Sequence, residues 1–240
     1  MKTTQVGPGD GADLFAPTGY DEAYQRAADR SLTLSRWTSR VELPATIELP
    51  TDTPTIVAAN HSSLFDLAAS LITVAHYGAS ARMGVAARYF DRPMIGSFLD
   101  RIGCIPFSRD RVAEAENDMI GSLKEGQLCC LMPEGRIVRS SERSVEGRAG
   151  PGRPGISRIA AATGAAILPV GFSGADEAWR PGRPLPRLRR KAPVVARIGP
   201  PFLFEGDDHE ANAEQLMHTI AGLIRRPVAV GETSDRPVDD

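Results

Sequence analysis

His61 and Asp66 stand five positions apart in the run NHSSLFD, which follows the apolar run TIVAA at residues 55–59. On one continuous helix the two side chains would point about 140° apart, because each residue turns the helix by about 100°. The pattern therefore predicts that His61 lies in the turn before a helix, with Ser62 or Ser63 as the N-cap. Asp66 would then sit in the first turn and fold back towards the imidazole, where the helix N-terminus favours a negative charge.

A histidine held by a carboxylate is suited to act as a general base. The carboxylate on one ring nitrogen sets the tautomer and leaves the other nitrogen free to take a proton from a hydroxyl group. Such a dyad activates the substrate's own nucleophile, and the chain has no GxSxG motif to supply one. Two other interpretations stay open. Ser62 or Ser63 is the nucleophile, or His61 and Asp66 form only a hydrogen bond at a strand–helix junction.

A second run, GCIPFSRDR at residues 103–111, contains groups that bind anions. It brings Arg109 to the end of an apolar run, just before a predicted helix. An arginine beside the free N–H groups of a helix start can hold a phosphate or an oxyanion. The alternative is an ordinary surface ion pair of Arg109 with Asp110 or Glu114.

A third run, MPEGR at residues 132–136, follows the apolar run QLCCL. Gly135 would allow a substrate to approach the backbone closely, and Glu134 would orient the acceptor or hold Arg136 or Arg109. A fourth run, ILPV at residues 167–170, has a proline inside an apolar strand pattern. That proline predicts either an edge strand or a strand that lines the site.

Short apolar runs alternate with longer helical patterns along most of the chain, which predicts an α/β fold. We expect a single domain with a mixed, mostly parallel sheet flanked by helices. Gly126 and Gly164 lie just past two of the predicted helices, where helices commonly end at a residue with a left-handed backbone conformation. The predicted strands span residues 55–59, 82–87, 102–107, 127–132, 166–171 and 193–198, and the predicted helices span residues 20–41, 64–77, 94–101, 109–124, 155–163 and 210–225.

The ends of the chain and two inner stretches differ from this pattern. We expect residues 1–18 to form a flexible N-terminal arm, residues 19–230 to form the single domain, and residues 231–240 to form a disordered tail. Helix 20–41 carries apolar residues that would dock on the core or, alternatively, lie on a membrane. Residues 139–153 and 179–193 predict surface loops, and the basic second loop either touches anionic lipid headgroups or is only solvated.

The composition excludes several classes of protein. Lys and Arg total 28 against 30 Asp and Glu, so no nucleic-acid partner is expected. The three cysteines contain no CxxC pair, and the histidines other than His61 have no metal-ligand spacing with acids, so neither a disulfide framework nor a metal site is predicted. No run reaches the roughly 20 apolar residues of a spanning helix. We expect a cytoplasmic protein, either free or peripheral on the inner membrane surface.

In this order and at these separations, the four runs resemble the motif blocks of the lysophospholipid acyltransferase family, which includes the bacterial 1-acylglycerol-3-phosphate acyltransferases. NHSSLFD is similar to the family's NHxSxxD block, which contains the HxxxxD pair. GCIPFSR is similar to the second block, whose glycine and arginine fall on Gly103 and Arg109. MPEGR is similar to the third block and ILPV to the fourth. The resemblance covers residues 54–171, about half of the chain.

The resemblance implies that His61 and Asp66 are the catalytic pair of an O-acyltransferase. The commoner third block has a threonine between its glycine and its arginine, so Arg139 is an alternative to Arg136 as the matching arginine. The residues that the resemblance assigns to acceptor binding are Gly103, Arg109, Glu134, Gly135 and Arg136.

The implied reaction moves a fatty acyl group from acyl-CoA or acyl-carrier protein to a hydroxyl of a lysophospholipid or a related acceptor, with no metal or bound cofactor. Backbone N–H groups after Ser62 would form the oxyanion hole, and helix residues 67–74 with strand residues 167–170 would wall the acyl chain. Three alternatives remain: a natural-product acceptor, a thioesterase, and a lipid-binding module without turnover.

Overall fold

A central β-sheet carries helices on both faces in the computed structural model, which describes residues 1–183, 185–186 and 192–224. The strands of the described residues are β1 (Thr3–Val6), β2 (Ser39–Glu42), β3 (Ile47–Pro50), β4 (Thr55–Ala59), β5 (Ala81–Ala86), β6 (Ile105–Phe107), β7 (Leu128–Leu131), β8 (Ala166–Ser173) and β9 (Ala192–Ile198). The α-helices are α1 (Asp21–Ser35), α2 (Phe65–His76), α3 (Pro93–Arg101), α4 (Val112–Lys124), α5 (Gly155–Thr163), α6 (Ala175–Ala178) and α7 (His209–Leu223).

The main sheet has the strand order β2-β9-β8-β4-β7-β5-β6. Strands β4 to β8 are mutually parallel, whereas β9 runs antiparallel to β8 and pairs in parallel with β2. The carboxyl ends of β4 to β8 and the amino ends of β2 and β9 therefore lie along one edge of the sheet, which we call the carboxyl edge. This mixed, mostly parallel arrangement confirms the predicted α/β fold.

The central strands are apolar throughout because both of their faces are covered. Every residue of β4 and of β8 is buried, as expected for strands inside a parallel sheet. One core cluster packs α1 and α2 on one face, with Tyr24 and Leu71 fully buried. The other packs α4, α5 and α7 on the opposite face, with Met119 and Leu216 fully buried.

The N-terminal region differs from the prediction. Residues 1–18 are not simply a loose arm, because β1 forms an antiparallel pair with β3. The helix expected over residues 20–41 ends at Ser35, and the chain then forms β2 as an edge strand of the main sheet. Helix α1 docks on the core through Tyr24 and its neighbours, but Trp37, which follows the helix, is 71% exposed.

Strand β8 is not an edge strand, although Pro169 lies inside it. It pairs with β4 on one side and with β9 on the other. The ladder with β9 runs from Val170 to Ser173, and Pro169 stands just before it, with its carbonyl accepting from the Gly199 N–H at 2.9 Å. The proline is tolerated because its missing N–H falls at the end of that ladder.

The other predicted elements lie within a few residues of the observed ones. The largest differences are at β6, which starts at Ile105 because residues 102–104 form the turn after α3, and at α4, which starts at Val112 instead of residue 109. Gly126 and Gly164 have φ of +81° and +66°, which confirms the predicted left-handed caps. Residues 184 and 187–191 of the predicted loop 179–193, and the whole predicted tail 231–240, lie outside the described residues. Within the described residues, none of the helices has the length and apolar character that crossing a membrane requires.

Candidate active site

The end of β4 is fastened to β8 by a side chain. Asn60, directly after β4, donates from Nδ2 to the Phe172 carbonyl at 3.1 Å and accepts at Oδ1 from the Phe172 N–H at 2.7 Å. Its amide thus replaces one step of backbone pairing while the main chain turns away from the sheet. Asn60 places His61 at the carboxyl edge. The sequence analysis assigned this residue no role, although it stands inside the NHSSLFD run.

His61 and Asp66 are in contact as predicted. The Nδ1 of His61 lies 3.0 Å from the Oδ2 of Asp66, whose side chain is fully buried. Because an ionised carboxylate only accepts, this contact assigns the proton to Nδ1 in the neutral ring. The His61 side chain is 21% exposed, and its Nε2 has no hydrogen-bond partner within the described part of the chain. The geometry therefore leaves Nε2 as an accessible base.

Asp66 is held by more than the histidine. Its Oδ2 also accepts from the backbone N–H of Ser62 at 2.6 Å and of Ser63 at 2.7 Å. Three donors converge on one oxygen and fix the direction in which the carboxylate faces the ring. These two N–H groups are therefore not available for the expected oxyanion hole, because both already donate to Asp66.

The two serines in the motif have structural partners. The Ser63 hydroxyl donates to the Trp179 carbonyl at 2.8 Å and accepts from the Phe65 N–H at 3.0 Å. The N-cap residue of α2 is Leu64, not Ser62 or Ser63 as predicted. The Ser62 hydroxyl lies 3.4 Å from Asp66 Oδ1 and is buried. Both hydroxyls contact groups other than the His61 ring, which disfavours the serine-nucleophile interpretation.

Glu134 binds the backbone of His61 through its carboxylate. One carboxylate oxygen accepts from the His61 N–H, and the other accepts from the Gly150 N–H at 2.6 Å. The Val138 N–H in the same loop donates to the His61 carbonyl at 2.7 Å. Both backbone groups of His61 are thus held by the segment that follows β7. The predicted contact of Glu134 with Arg136 or Arg109 is wrong, because its carboxylate is engaged by backbone N–H groups instead.

Burial raises the pKa of the Glu134 carboxyl above its ordinary value, and the N–H donors of Gly150 and His61 offset part of that shift. Glu134 is 4% exposed. Its carboxylate is enclosed, and its observed hydrogen bonds are with the backbone N–H groups of His61 and Gly150.

Gly135 leaves space for a neighbouring arginine side chain. Its φ is +65°, and an added Cβ would lie 2.7 Å from Nε of Arg153. That Nε donates to the Glu134 carbonyl at 3.2 Å, and the Arg153 N–H donates to the Pro133 carbonyl at 2.9 Å. Gly135 therefore permits a close approach, as expected, but here the approaching group is Arg153, which the sequence analysis did not select.

The two predicted phosphate-binding arginines lie on the carboxyl edge without touching the dyad. Arg109 follows β6 and is exposed, with no hydrogen bond to the rest of the described chain. Since β6 stands three strands from β4, the lateral separation is about 14 Å. Arg136 pairs with Glu142 at 2.9 Å, and Glu142 also accepts from the Arg139 N–H at 3.0 Å.

Gly103 does not lie at the carboxyl edge with His61, Arg109 and Arg136. It lies before β6, at the edge opposite to His61, with a φ of +71°. An added Cβ would lie 2.4 Å from a ring carbon of Tyr20. Gly103 therefore makes a tight turn against an aromatic ring, and the structure does not bring it near His61 or Asp66.

The expected walls of an acyl groove pack directly against each other. Thr73 and Val74 of α2 face Leu168 and Val170 of β8 across a void of about 20 Å³, which has room for about one water molecule. In this conformation no acyl chain fits there. Within the described residues, no three His, Cys, Asp or Glu side chains are grouped to hold a metal ion.

Comparison with known proteins relates this chain to one family. The sequence model of the acyltransferase family matches residues 40–173, which include the dyad and the Glu134 loop. Two curated relatives are 29% identical over 126 residues: 1-acyl-sn-glycerol-3-phosphate acyltransferase BAT2, chloroplastic, of Brassica napus, and LPAT1, chloroplastic, of Arabidopsis thaliana. These matches cover 51% of this chain and 34% and 33% of the relatives, so the chain spans about a third of their length.

A solved structure has the same fold. The 1-acyl-sn-glycerophosphate acyltransferase PlsC from Thermotoga maritima superposes with a TM-score of 0.65, over 84% of this chain and 77% of the other, at 21% sequence identity. At that identity the likeness concerns the fold alone. This likeness in fold covers 84% of the chain, more than the residues 40–173 that the family model matches.

Proposed function

Because this chain belongs to the acyltransferase family, we propose that it transfers a fatty acyl group from an acyl thioester to the hydroxyl of a lysophospholipid, with 1-acyl-sn-glycerol 3-phosphate as the first acceptor to test. The observation that carries the proposal is the contact of His61 Nδ1 with the buried Asp66, which leaves Nε2 as the accessible base. The names of the plant relatives suggest the acceptor.

The proposed mechanism has a single base. Nε2 of His61 takes the proton of the acceptor hydroxyl as its oxygen attacks the thioester carbonyl carbon. Asp66 stabilises the imidazolium formed in this step. The tetrahedral oxyanion then collapses, the carbon–sulfur bond breaks, and the imidazolium returns the proton to the departing thiolate. The new ester is released together with free CoA or carrier-protein thiol.

Neither a metal nor a bound cofactor enters this proposal, because the thioester supplies the activated bond. The chain's own contribution is to hold His61. The base is fixed through its ring by Asp66 and through its backbone by Glu134 and Val138. Holding a base and a substrate in a reactive geometry accounts for a large share of such rate enhancements.

We assign binding of the acceptor's phosphate to the arginines of the carboxyl edge. Arg109 is exposed there, and Arg136 and Arg139 lie on the segment that also carries Glu134. Arginine is suited to phosphate because its guanidinium donates two parallel hydrogen bonds. Arg109→Ala and Arg136→Ala should raise KM for a phosphate-bearing acceptor and leave KM for monoacylglycerol unchanged. An equal change for both acceptors would contradict this assignment.

The first experiment is product analysis by mass spectrometry. Oleoyl-CoA and acyl-carrier protein are each offered with a panel of lysophospholipids, monoacylglycerol and simple alcohols. We expect acylated product from the native chain and none from His61→Ala. His218→Ala, a change at a histidine that is 52% exposed, is the matched control and should retain activity. Thioester hydrolysis that does not depend on an acceptor would indicate a thioesterase, and lipid binding without turnover would indicate a binding module.

A further inference from the structure

The turn that carries His61 depends on its neighbours for its position. Residues 60–64, which we call the catalytic turn, connect β4 to α2 and contain no regular secondary structure. The backbone N–H of His61 donates to Glu134, and its carbonyl accepts from the Val138 N–H. The location of the base is therefore set by the segments that lie on either side of the turn.

These two segments follow the two strands that flank β4. The β7–α5 loop, residues 132–154, follows β7, and the α6 segment, residues 174–179, follows β8. Because β4 lies between β7 and β8, the ends of those strands are about 10 Å apart. The β7–α5 loop holds both backbone groups of His61, and the α6 segment accepts the Ser63 hydroxyl at the Trp179 carbonyl.

An ion pair joins the two segments directly. Nη2 of Arg143, in the β7–α5 loop, lies 2.7 Å from Oδ2 of Asp176, in the α6 segment. Among the described residues, this is the only side-chain hydrogen bond between the two segments. The contacts thus form a closed ring around the catalytic turn, from His61 through the β7–α5 loop to Arg143, across to Asp176, and through the α6 segment back to Ser63.

The pair is better shielded from water than the other pairs of this kind. The side chains of Arg143 and Asp176 are 17% and 24% exposed. In each other ion pair of a lysine or arginine with an acid that the described residues form, at least one side chain is 43% exposed or more. Salt and water screen a shielded pair less than an exposed one. The Arg143–Asp176 pair is therefore suited to hold its two segments together.

We infer that Arg143 and Asp176 are positioning residues for the reaction: their ion pair keeps the β7–α5 loop and the α6 segment against the catalytic turn, and so holds Nε2 of His61 where a substrate hydroxyl meets it. Neither side chain bonds to His61 or Asp66, so both act through the backbone of the turn. The kinetic consequence rests on the proposed function, whereas the effect on the turn itself does not.

Kinetics test the effect on the base. Arg143→Gln and Asp176→Asn should each lower kcat about tenfold and change KM for either substrate by less than about twofold, because a small displacement of the base slows the reaction without removing a substrate contact. The double variant should be no slower than either single variant, since the same pair is lost once. Arg143→Lys should retain most of the activity, because an ammonium also donates the one hydrogen bond that the pair contains.

The matched control is another ion pair. Nη2 of Arg158, in α5, lies 2.5 Å from Oε1 of Glu116, in α4, and among the described residues neither side chain bonds to the catalytic turn. Arg158→Gln should leave kcat unchanged within about a factor of two, whatever its effect on thermal unfolding. The comparison separates a loss of positioning from a general loss of stability.

Hydrogen exchange measured by mass spectrometry gives a second readout that requires no turnover. Peptides that cover residues 60–64 should exchange at least about threefold faster in Arg143→Gln than in the native chain, because the ring of contacts is open. The same peptides should be unchanged in Arg158→Gln. If the native chain transferred no acyl group, the proposed function would fail, and the exchange rates would still decide this inference.

Three results would overturn the inference. The first is unchanged exchange of the catalytic turn in Arg143→Gln. The second is a loss of kcat in Arg143→Gln and Asp176→Asn no larger than the loss in Arg158→Gln. The third is a raised KM with an unchanged kcat, which would make Arg143 a substrate-binding residue instead.

Discussion

The carboxylate of Glu134 accepts a hydrogen bond from the backbone N–H of His61, while its second oxygen accepts from the Gly150 N–H at 2.6 Å. The glutamate of the third motif run is thus linked to the base of the first run through the main chain. This contact couples the loop after β7 to the position of the imidazole. It follows that a change at Glu134 acts on the reaction through His61.

We predict that Glu134→Gln lowers kcat by about 10- to 100-fold, with little change in KM for either substrate. An amide has one acceptor oxygen, so one of the two backbone N–H groups loses its partner and the base shifts from its reactive position. Steady-state kinetics with varied donor and acceptor measure this effect. Glu205→Gln, at an exposed glutamate, is the control. A rise in KM with unchanged kcat would show that Glu134 binds substrate instead.

The raised pKa of Glu134 also predicts a pH dependence of stability. Burial raises the pKa above the usual 4.5, so the folded state binds the proton more tightly than the unfolded state does. As the pH falls from neutrality towards 4.5, the native chain should therefore gain free energy of unfolding relative to Glu134→Gln, by at most about 1.4 kcal/mol per pH unit. Denaturant unfolding at several pH values measures the difference. A difference that does not vary with pH would contradict the prediction.

Asp66→Asn should reduce kcat by about 10³- to 10⁴-fold, the loss typical when a carboxylate that orients a catalytic histidine is replaced by its amide. The amide neither stabilises the imidazolium nor reproduces the three-donor arrangement around Oδ2. Kinetics of the folded variant test this, with Asp29→Asn at an exposed position of α1 as the control. Retention of full activity would remove Asp66 from the mechanism.

The two motif serines should respond differently to substitution by alanine. Ser62→Ala should keep activity within a few fold, because loss of a true serine nucleophile costs about a million-fold. Ser63→Ala should lower the free energy of unfolding by about 1–3 kcal/mol, since it leaves the buried Phe65 N–H and Trp179 carbonyl without their partner. Thermal unfolding measures the second effect, with the exposed Ser97→Ala as reference. Complete inactivation of Ser62→Ala would revive the nucleophile interpretation.

Thiol reagents should leave the folded protein active. Burial raises the pKa of Cys104, Cys129 and Cys130 to about 12, so almost no reactive thiolate is present at neutral pH. Iodoacetamide should therefore label none of the three in the native chain and all of them after unfolding in guanidinium. Mass spectrometry counts the labels. Rapid inactivation of the folded protein would indicate an exposed or activated cysteine.

The sequence by itself determined the local features. The five-residue spacing of His61 and Asp66, on either side of a strand–helix junction, predicted that the carboxylate folds back onto the ring, because a continuous helix would have separated them. The alternation of apolar runs and helical patterns predicted the α/β fold. The same reasoning located most elements to within a few residues, since burial on both faces demands apolar runs.

Only the tertiary structure decided which distant residues meet. Glu134 approaches the His61 backbone because β4 and β7 are neighbours, an order that no spacing along the chain reveals. Gly103 and Arg109 belong to one motif run, yet they lie at opposite edges because β6 runs between them. Pro169 predicted either an edge strand or a strand that lines the site, and the tertiary structure excludes the first, because the end of the β9 ladder accommodates the proline inside the sheet. Hydrogen-bond partners that are far apart in sequence are set by strand order and register, and these depend on how the whole core packs.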